Sequence, residues 1–190
     1  MAQVNNASEV TALCARYGLE PEVSALARPE HDPPAFVSAL LEVEEYGGAV
    51  AFLAHALPRR EAIWWAWTCA RRTAPAERAP EVQAALDATE RWLSQPSEGN
   101  RRPALEIARA ADLGTPAGCA ALAVFFTGGS IAPPENPEVP PPEFAAARAV
   151  TGSIMLSAVA EPPQEAPARF RQFVGQGLEV ARRIKLWSPA

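Results

Sequence analysis

Apolar residues recur along this chain three and four positions apart, the spacing of one face of a helix, and prolines punctuate the pattern. Val10, Leu13 and Cys14 mark a first segment from Ser8 to Tyr17, with Ser8 as its expected N-cap and Gly18 as its stop. Pro33-Pro34 precedes a second segment, whose apolar set is Phe36, Val37, Leu40, Leu41 and Val43. Gly47-Gly48 interrupts that run, and the pattern resumes with Val50, Phe52 and Leu53, which predicts either one kinked helix or two helices. Pro58 suits the first helical position of a segment reaching about Arg72. Further segments are expected over Glu81–Leu93, just after Pro103, and over Ala117–Phe126 behind the Thr115-Pro116 pair. Two long ones, Glu143–Ala160 and Ala166–Leu186, complete the pattern. No short run alternates like a half-buried strand, so the expected fold is all-α.

These segments predict an irregular bundle of about seven or eight helices. The helix starts near Pro34, Pro58, Pro80 and Pro103 lie 22 to 24 residues apart, which leaves a short HEAT-like array of helical hairpins as the alternative. Residues 128–142 hold six prolines and two glycines and predict an extended loop. The expected organisation is one helical domain, 1–190, in which this loop separates helices within 8–127 from a C-terminal pair within 143–187.

Composition narrows the function classes. With 190 residues, 48% of them hydrophobic, the chain can support a core without disulfides or metal. A net charge of −5 gives no general basis for nucleic-acid binding, and no apolar run is long enough to predict a membrane span. Residues Met1 to Asn6 show neither the basic nor the apolar part of a secretory signal. Cys14, Cys69 and Cys119 lie far apart, each in an apolar helical pattern and with no CxxC, so reduced buried thiols in a cytoplasmic protein are expected. With only His31 and His55, a histidine-rich metal centre is excluded, and no cofactor is expected.

Chemistry concentrates between Phe52 and Arg72. From Ala62 to Ala70 only Thr68 is polar, so this helix should lie in the middle of the core. Trp64, Trp65 and Trp67 cannot share one face at 100° per residue: Ile63, Trp67 and Ala70 form one stripe, with Trp64 and Trp65 on its flanks. Burial of all three rings competes with a role for Trp64 or Trp65 as an interface anchor. Arg59 and Arg60 stand at the positive end of a helix dipole, where acidic side chains are preferred. An internal ion-pair network with Glu42, Glu44, Glu45 and Glu61 would resolve that conflict, as would an anionic group of a partner. Arg101-Arg102 before Pro103 repeats the arrangement. Gly175 and Gly177 fall inside a helical pattern and predict close helix packing, and Leu186-Trp187 is expected to dock on the chain itself. No P-loop, GxGxxG, HExxH, EF-hand or GxSxG pattern is present.

The run from Leu53 to Arg71, with its Pro-Arg-Arg-Glu-Ala-x-Trp-Trp core, resembles the signature of an uncharacterised bacterial family of helical proteins of about this length. Members occur near type VI secretion genes, among those for spike and adaptor proteins. The resemblance covers roughly a tenth of the chain and implies a non-enzymatic accessory role, with no activity to carry over.

The leading expectation is a cytoplasmic helical binding protein, an adaptor or chaperone-like factor for a type VI secretion apparatus or its effector. Its expected partner is a protein (spike, adaptor or effector), not nucleic acid. Arg59, Arg60, Trp64, Trp65, Arg101 and Arg102 are the expected binding residues, with no catalytic residue and no metal ligand, and loop 128–142 is a second contact. One alternative is an immunity protein that binds a toxin. Another is an enzyme using Glu42, Glu45 and His55 in a helical cleft.

Overall fold

The computed structural model describes residues 6–187, and every regular element among them is helical. Residues 1–5, most of the stretch that bears on a secretory signal, lie outside the described residues. Eight helices of ten to eighteen residues carry the fold: α1 (Asn6–Tyr17), α3 (Pro33–Glu42), α4 (Tyr46–Ala56), α5 (Arg59–Thr73), α6 (Pro80–Ser94), α9 (Pro116–Phe125), α10 (Ala145–Ala158) and α11 (Ala166–Arg183). Three shorter ones lie between them: α2 (Pro21–Ser24), α7 (Glu98–Arg101) and α8 (Ala104–Ala110).

Local chemistry explains most boundaries. Asp32 caps α3 by accepting from the Ala35 amide at 2.8 Å, with Pro33 at the first helical position. Thr115 caps α9 through the Gly118 amide at 3.0 Å, again followed by proline. Ser97 caps α7, a turn that the polar composition of residues 94–100 conceals. Pro58 stands just outside α5 as its N-cap, with extended backbone, rather than at the first helical position. Ser8 lies inside α1, which begins before it.

The interruption between α3 and α4 falls at Val43–Glu45, ahead of the glycine pair. Glu44 adopts φ +60°, and the Glu45 carboxylate caps α4 by accepting from the Gly48 amide at 3.2 Å. Gly48 serves packing instead: a Cβ there would meet the Val23 methyls of α2 at 2.8 and 2.9 Å. Of the two glycines in α11, Gly177 is the one at a close approach, where a Cβ would meet the Trp65 ring at 2.9 Å, while Gly175 faces open space.

Helices α5 and α10 occupy the middle. α10 packs on α4, α5, α9 and α11, and α5 packs on α6, α9, α10 and α11. One continuous core therefore runs from Val10 and Phe36 through Phe52, Ile63 and Trp65 to Ile154, Phe173 and Val174. A smaller alanine-rich cluster joins α6, α8 and α9 around Leu86. Contacts of α10 with both α4 and α9 make this a closed bundle rather than a stack of hairpins, because stacked units touch only their neighbours. The C-terminal pair beyond the proline-rich loop belongs to the same core. Leu186 and Trp187 pack back on it, with the Trp187 ring 6.5 Å from that of Phe52. Among the described residues no helix is long and apolar enough to cross a membrane.

Candidate functional site

The arginines singled out by sequence share one kind of acceptor, and it is the backbone. A helix leaves its last carbonyls without intrahelical donors, so a neighbouring guanidinium can satisfy several at once. Arg60 donates through Nε and Nη2 to the Leu93 carbonyl in the last turn of α6, at 3.0 and 2.6 Å. Arg59 donates to the Thr127 carbonyl just beyond α9 at 3.0 Å. The expected ion-pair network with Glu42, Glu44, Glu45 and Glu61 is not formed: among the described residues neither arginine has a carboxylate within ion-pair distance. Glu44 instead pairs with Arg171 of α11 at 2.9 Å, an arginine that also lies over the Tyr46 ring. Arg59 and Arg60 tolerate the positive end of the α5 dipole because their side chains reach the negative ends of other helices.

Arg101 and Arg102 hold the proline-rich loop. The Arg101 side chain is only 4% exposed; it donates to the Phe125 carbonyl at 2.5 Å and the Ser130 carbonyl at 3.0 Å, and forms a bidentate pair with Glu98 at 2.6 Å. Arg102 donates to the carbonyls of Ser130 and Ala132. Within the loop, Ile131 donates to the Val139 carbonyl at 2.8 Å, and the Ser130 hydroxyl accepts from Ala132 and Val139. The Arg101 donors are thus directed inside the fold, to Glu98 and to the carbonyls of Phe125 and Ser130. Arg169 plays the same part at the end of α10, donating to Ala158, Ala160 and Glu161 carbonyls. Sequence reasoning passed over it because it stands alone, without the doubled arginine that drew attention elsewhere.

The two flanking tryptophans separate completely. Trp65 is fully buried, and its indole N–H donates to the Phe173 carbonyl at 2.8 Å, so it is a core residue, as the burial reading of the three rings expects. Trp64 is 39% exposed. Beside it runs a groove of about 270 Å³ lined by Arg60, Glu61, Trp64, Leu93, Val180, Arg183 and Ile184. Ile184 is likewise 39% exposed, so the groove is a mainly apolar strip whose charged lining is Arg60, Arg183 and Glu61. Of the expected binding residues, the structure brings Arg60 and Trp64 together here; Arg59 lies on a different cavity, and Arg101 and Arg102 lie at the loop. Leu93, Val180 and Ile184 complete the strip from two distant helix ends, a juxtaposition that no local pattern announces.

A family model, described as a family of unknown function (DUF6931), matches residues 36–181, about three quarters of the chain. The chain belongs to DUF6931. Neither the curated proteins nor the solved structures gave a match. The DUF6931 match takes in α3 through most of α11, and hence Arg60, Trp64, Leu93 and Val180, whereas Arg183 and Ile184 lie beyond it.

The trio Glu42, Glu45 and His55 is not assembled. Glu45 and His55 line a common cavity of about 350 Å³, Glu42 is absent from its wall, and the Glu45 carboxylate is engaged as the α4 cap. Cys69 is buried beside Gln176, and burial pushes its thiol up to about 12, far from the thiolate that a nucleophile requires. All three cysteines are free and buried. Among the described residues no group of three or more His, Cys, Asp or Glu side chains is placed to hold a metal ion.

His55 does carry a pH consequence. Burial holds its imidazole below the ordinary value of 6.5, with the charge of Arg148 acting in the same direction. The unfolded chain therefore binds the proton more readily, so stability is complete above about pH 6.5 and declines as pH falls toward the folded pKa. The slope contributed by this one group should reach at most about 1.4 kcal/mol per pH unit. Urea denaturation between about pH 7 and 5 should show that slope, and His55→Phe should flatten it.

Proposed function

We propose that this chain is a non-enzymatic helical binding protein whose groove beside Trp64 receives a segment of a protein partner, and that it acts as an adaptor or chaperone-like factor of a type VI secretion apparatus or one of its effectors. The supporting observation is the pairing of two large exposed apolar side chains, Trp64 and Ile184, with the guanidinium groups of Arg60 and Arg183 in one groove. Aromatic and arginine side chains supply most of the energy at protein interfaces, and an exposed tryptophan in a concave strip has the apolar area and the N–H donor such contacts use. The occupant that fits is an apolar side chain flanked by carboxylates, since Arg183 is largely solvent-exposed and shares its Glu179 partner with Arg182. The secretion setting rests on the resemblance carried by Pro58 through Trp65.

Capture from lysate of the native host, with bound proteins identified by mass spectrometry, gives the test. Recovery of a spike, adaptor or effector protein is expected, and Trp64→Ala should weaken the purified complex at least tenfold, a cost of about 1.4 kcal/mol or more. Equal affinity of the wild-type and Trp64→Ala chains for that protein, with unchanged thermal unfolding, would remove the groove from the reading. Recovery of no secretion component would remove the adaptor role.

A further inference from the structure

The imidazole of His55 has one nitrogen accounted for and one not. Nδ1 lies 2.7 Å from the Ala51 carbonyl oxygen, and because a carbonyl only accepts, Nδ1 carries the proton. In the neutral ring Nε2 is then a lone pair, sealed from solvent and without a hydrogen-bond partner among the described residues. The charged ring fares worse in the same place. A proton on Nε2 would be a cationic donor with no acceptor in reach, which costs more than an unused lone pair. The closed fold therefore accommodates the neutral ring and resists the charged one.

The charges around the ring do not relieve that conflict. His55 lines two cavities, of about 220 and 350 Å³. The wall of the first also holds Arg16 of α1, Arg59 of α5 and Glu143, which precedes α10. The second holds Glu20, which follows α1, with Glu45 ahead of α4 and Arg148 of α10. Three guanidinium groups thus stand against three carboxylates, one of which, Glu45, is engaged as the α4 cap. Among the described residues no carboxylate lies within ion-pair distance of His55. The Tyr17 phenol, raised by its burial, stays neutral throughout the acid range.

The ring lies against Tyr17, stacked at 5.5 Å, and Phe144, tilted at 5.3 Å. Phe144 leads into α10, which packs on α4, α5, α9 and α11 and is fixed by the whole bundle. Helix α1 packs chiefly on α2 and α4, and its buried side chains are Val10, Cys14 and Tyr17. Its end bounds both cavities, with Arg16 in the wall of one and Tyr17 and Gly18 in the wall of the other. Of the walls around His55, the end of α1 is thus the least anchored, and its withdrawal would bring water to the ring from two sides.

We propose that His55 is an acid-operated latch: the end of α1 stays closed over the neutral ring, and protonation of the ring releases α1 from the bundle. Burial and the charge of Arg148 disfavour the imidazolium in the closed form, whereas water restores its ordinary affinity for the proton in the open one. Opening is therefore independent of pH well above about 6.5 and becomes easier below it, by at most about tenfold per pH unit. This event is local and precedes the loss of the bundle, which keeps α4, α5, α9 and α11 packed around α10 while α1 is open.

Amide hydrogen exchange of the full chain, compared at about pH 7.5 and about pH 5.5 and corrected for the chemical exchange rate, tests the latch. Protection of the α1 amides should be lower than that of α5 and α10 at both pH values. It should fall severalfold in acid, with about tenfold as the ceiling over this interval. His55→Phe should keep the chain folded and abolish the fall. Should the larger ring not fit, His55→Gln, whose side-chain amide can still donate to the Ala51 carbonyl, should do the same. The proposal is overturned if α1 protection is the same at both pH values, or if the fall persists in a folded His55 variant. It is equally overturned if α1 is as protected as α5 and α10, since α1 would then open only with the whole bundle.

Discussion

Trp65→Ala should lower the free energy of unfolding by about 3–5 kcal/mol, the range for deleting a fully buried large aromatic side chain. The Trp65 ring lies in the seam between α5 and α11, against Gly177 and Leu53, and its N–H is used by the Phe173 carbonyl. The seam cannot close over the vacancy, because Gly177 offers no side chain to move into it. Trp65→Phe should recover part of the loss by refilling the seam, but not the bond to Phe173. Trp64→Ala, one residue away, removes a ring that is 39% exposed and makes no bond to the core, and should cost clearly less than Trp65→Ala. Urea denaturation of the three variants gives that order directly. Comparable losses for Trp64→Ala and Trp65→Ala would contradict the assignment of one ring to the surface and the other to the core.

The second large effect is expected at Arg101. Arg101→Met keeps much of the aliphatic volume and removes the donors to the Phe125 and Ser130 carbonyls. Two acceptors left without this partner, at about 1–3 kcal/mol each, predict a loss of roughly 2–6 kcal/mol in total, toward the low end because Arg102 still donates to the Ser130 carbonyl. The signature is local as well as global. Residues 128–142 contain Glu135 and Glu138, so a glutamate-specific protease should cut the variant in this loop far faster than the wild-type chain. Arg102→Met, whose side chain is 28% exposed and which shares Ser130 with Arg101, should show the smaller effect in both measurements. Loop cleavage at the wild-type rate in Arg101→Met would show that the loop is held by its own contacts.

Helical periodicity carried the fold class because each helix buries one face, and that requirement is written locally every three or four residues. Caps carried boundaries where a short polar residue precedes proline, as at Asp32-Pro33 and Thr115-Pro116. The α3–α4 break was misplaced because a glycine pair is ambiguous: Gly48 is there for the Val23 methyls, a contact with a helix not visible as one in the sequence. The flanking tryptophans were recognised as a pair, but which of them points at α11 depends on how α5 is rotated in the bundle, which periodicity leaves open when a helix is apolar all round. The arginines illustrate the same limit differently. Charge pattern directed attention to carboxylates, while the acceptors that mattered were carbonyls, which every residue has and no sequence displays. Arg60 and Leu93 are 33 positions apart, and Arg59 and Thr127 are 68 apart. The groove has the same origin, since its walls come from the first turns of α5 and the last turns of α6 and α11.

Arginine bound to a backbone carbonyl is bound to something that does not titrate. A carboxylate partner such as Glu44 for Arg171 is surrendered once acid protonates it, and salt weakens it before that. The Leu93, Thr127 and Phe125 carbonyls remain the same acceptors at any pH the folded chain can survive. Nor do they cancel the cation: a guanidinium seated on amide oxygens keeps its full charge. At Arg59 and Arg60, which have no carboxylate within ion-pair distance among the described residues, an overall charge of −5 thus conceals fixed positive points at the junctions between helices.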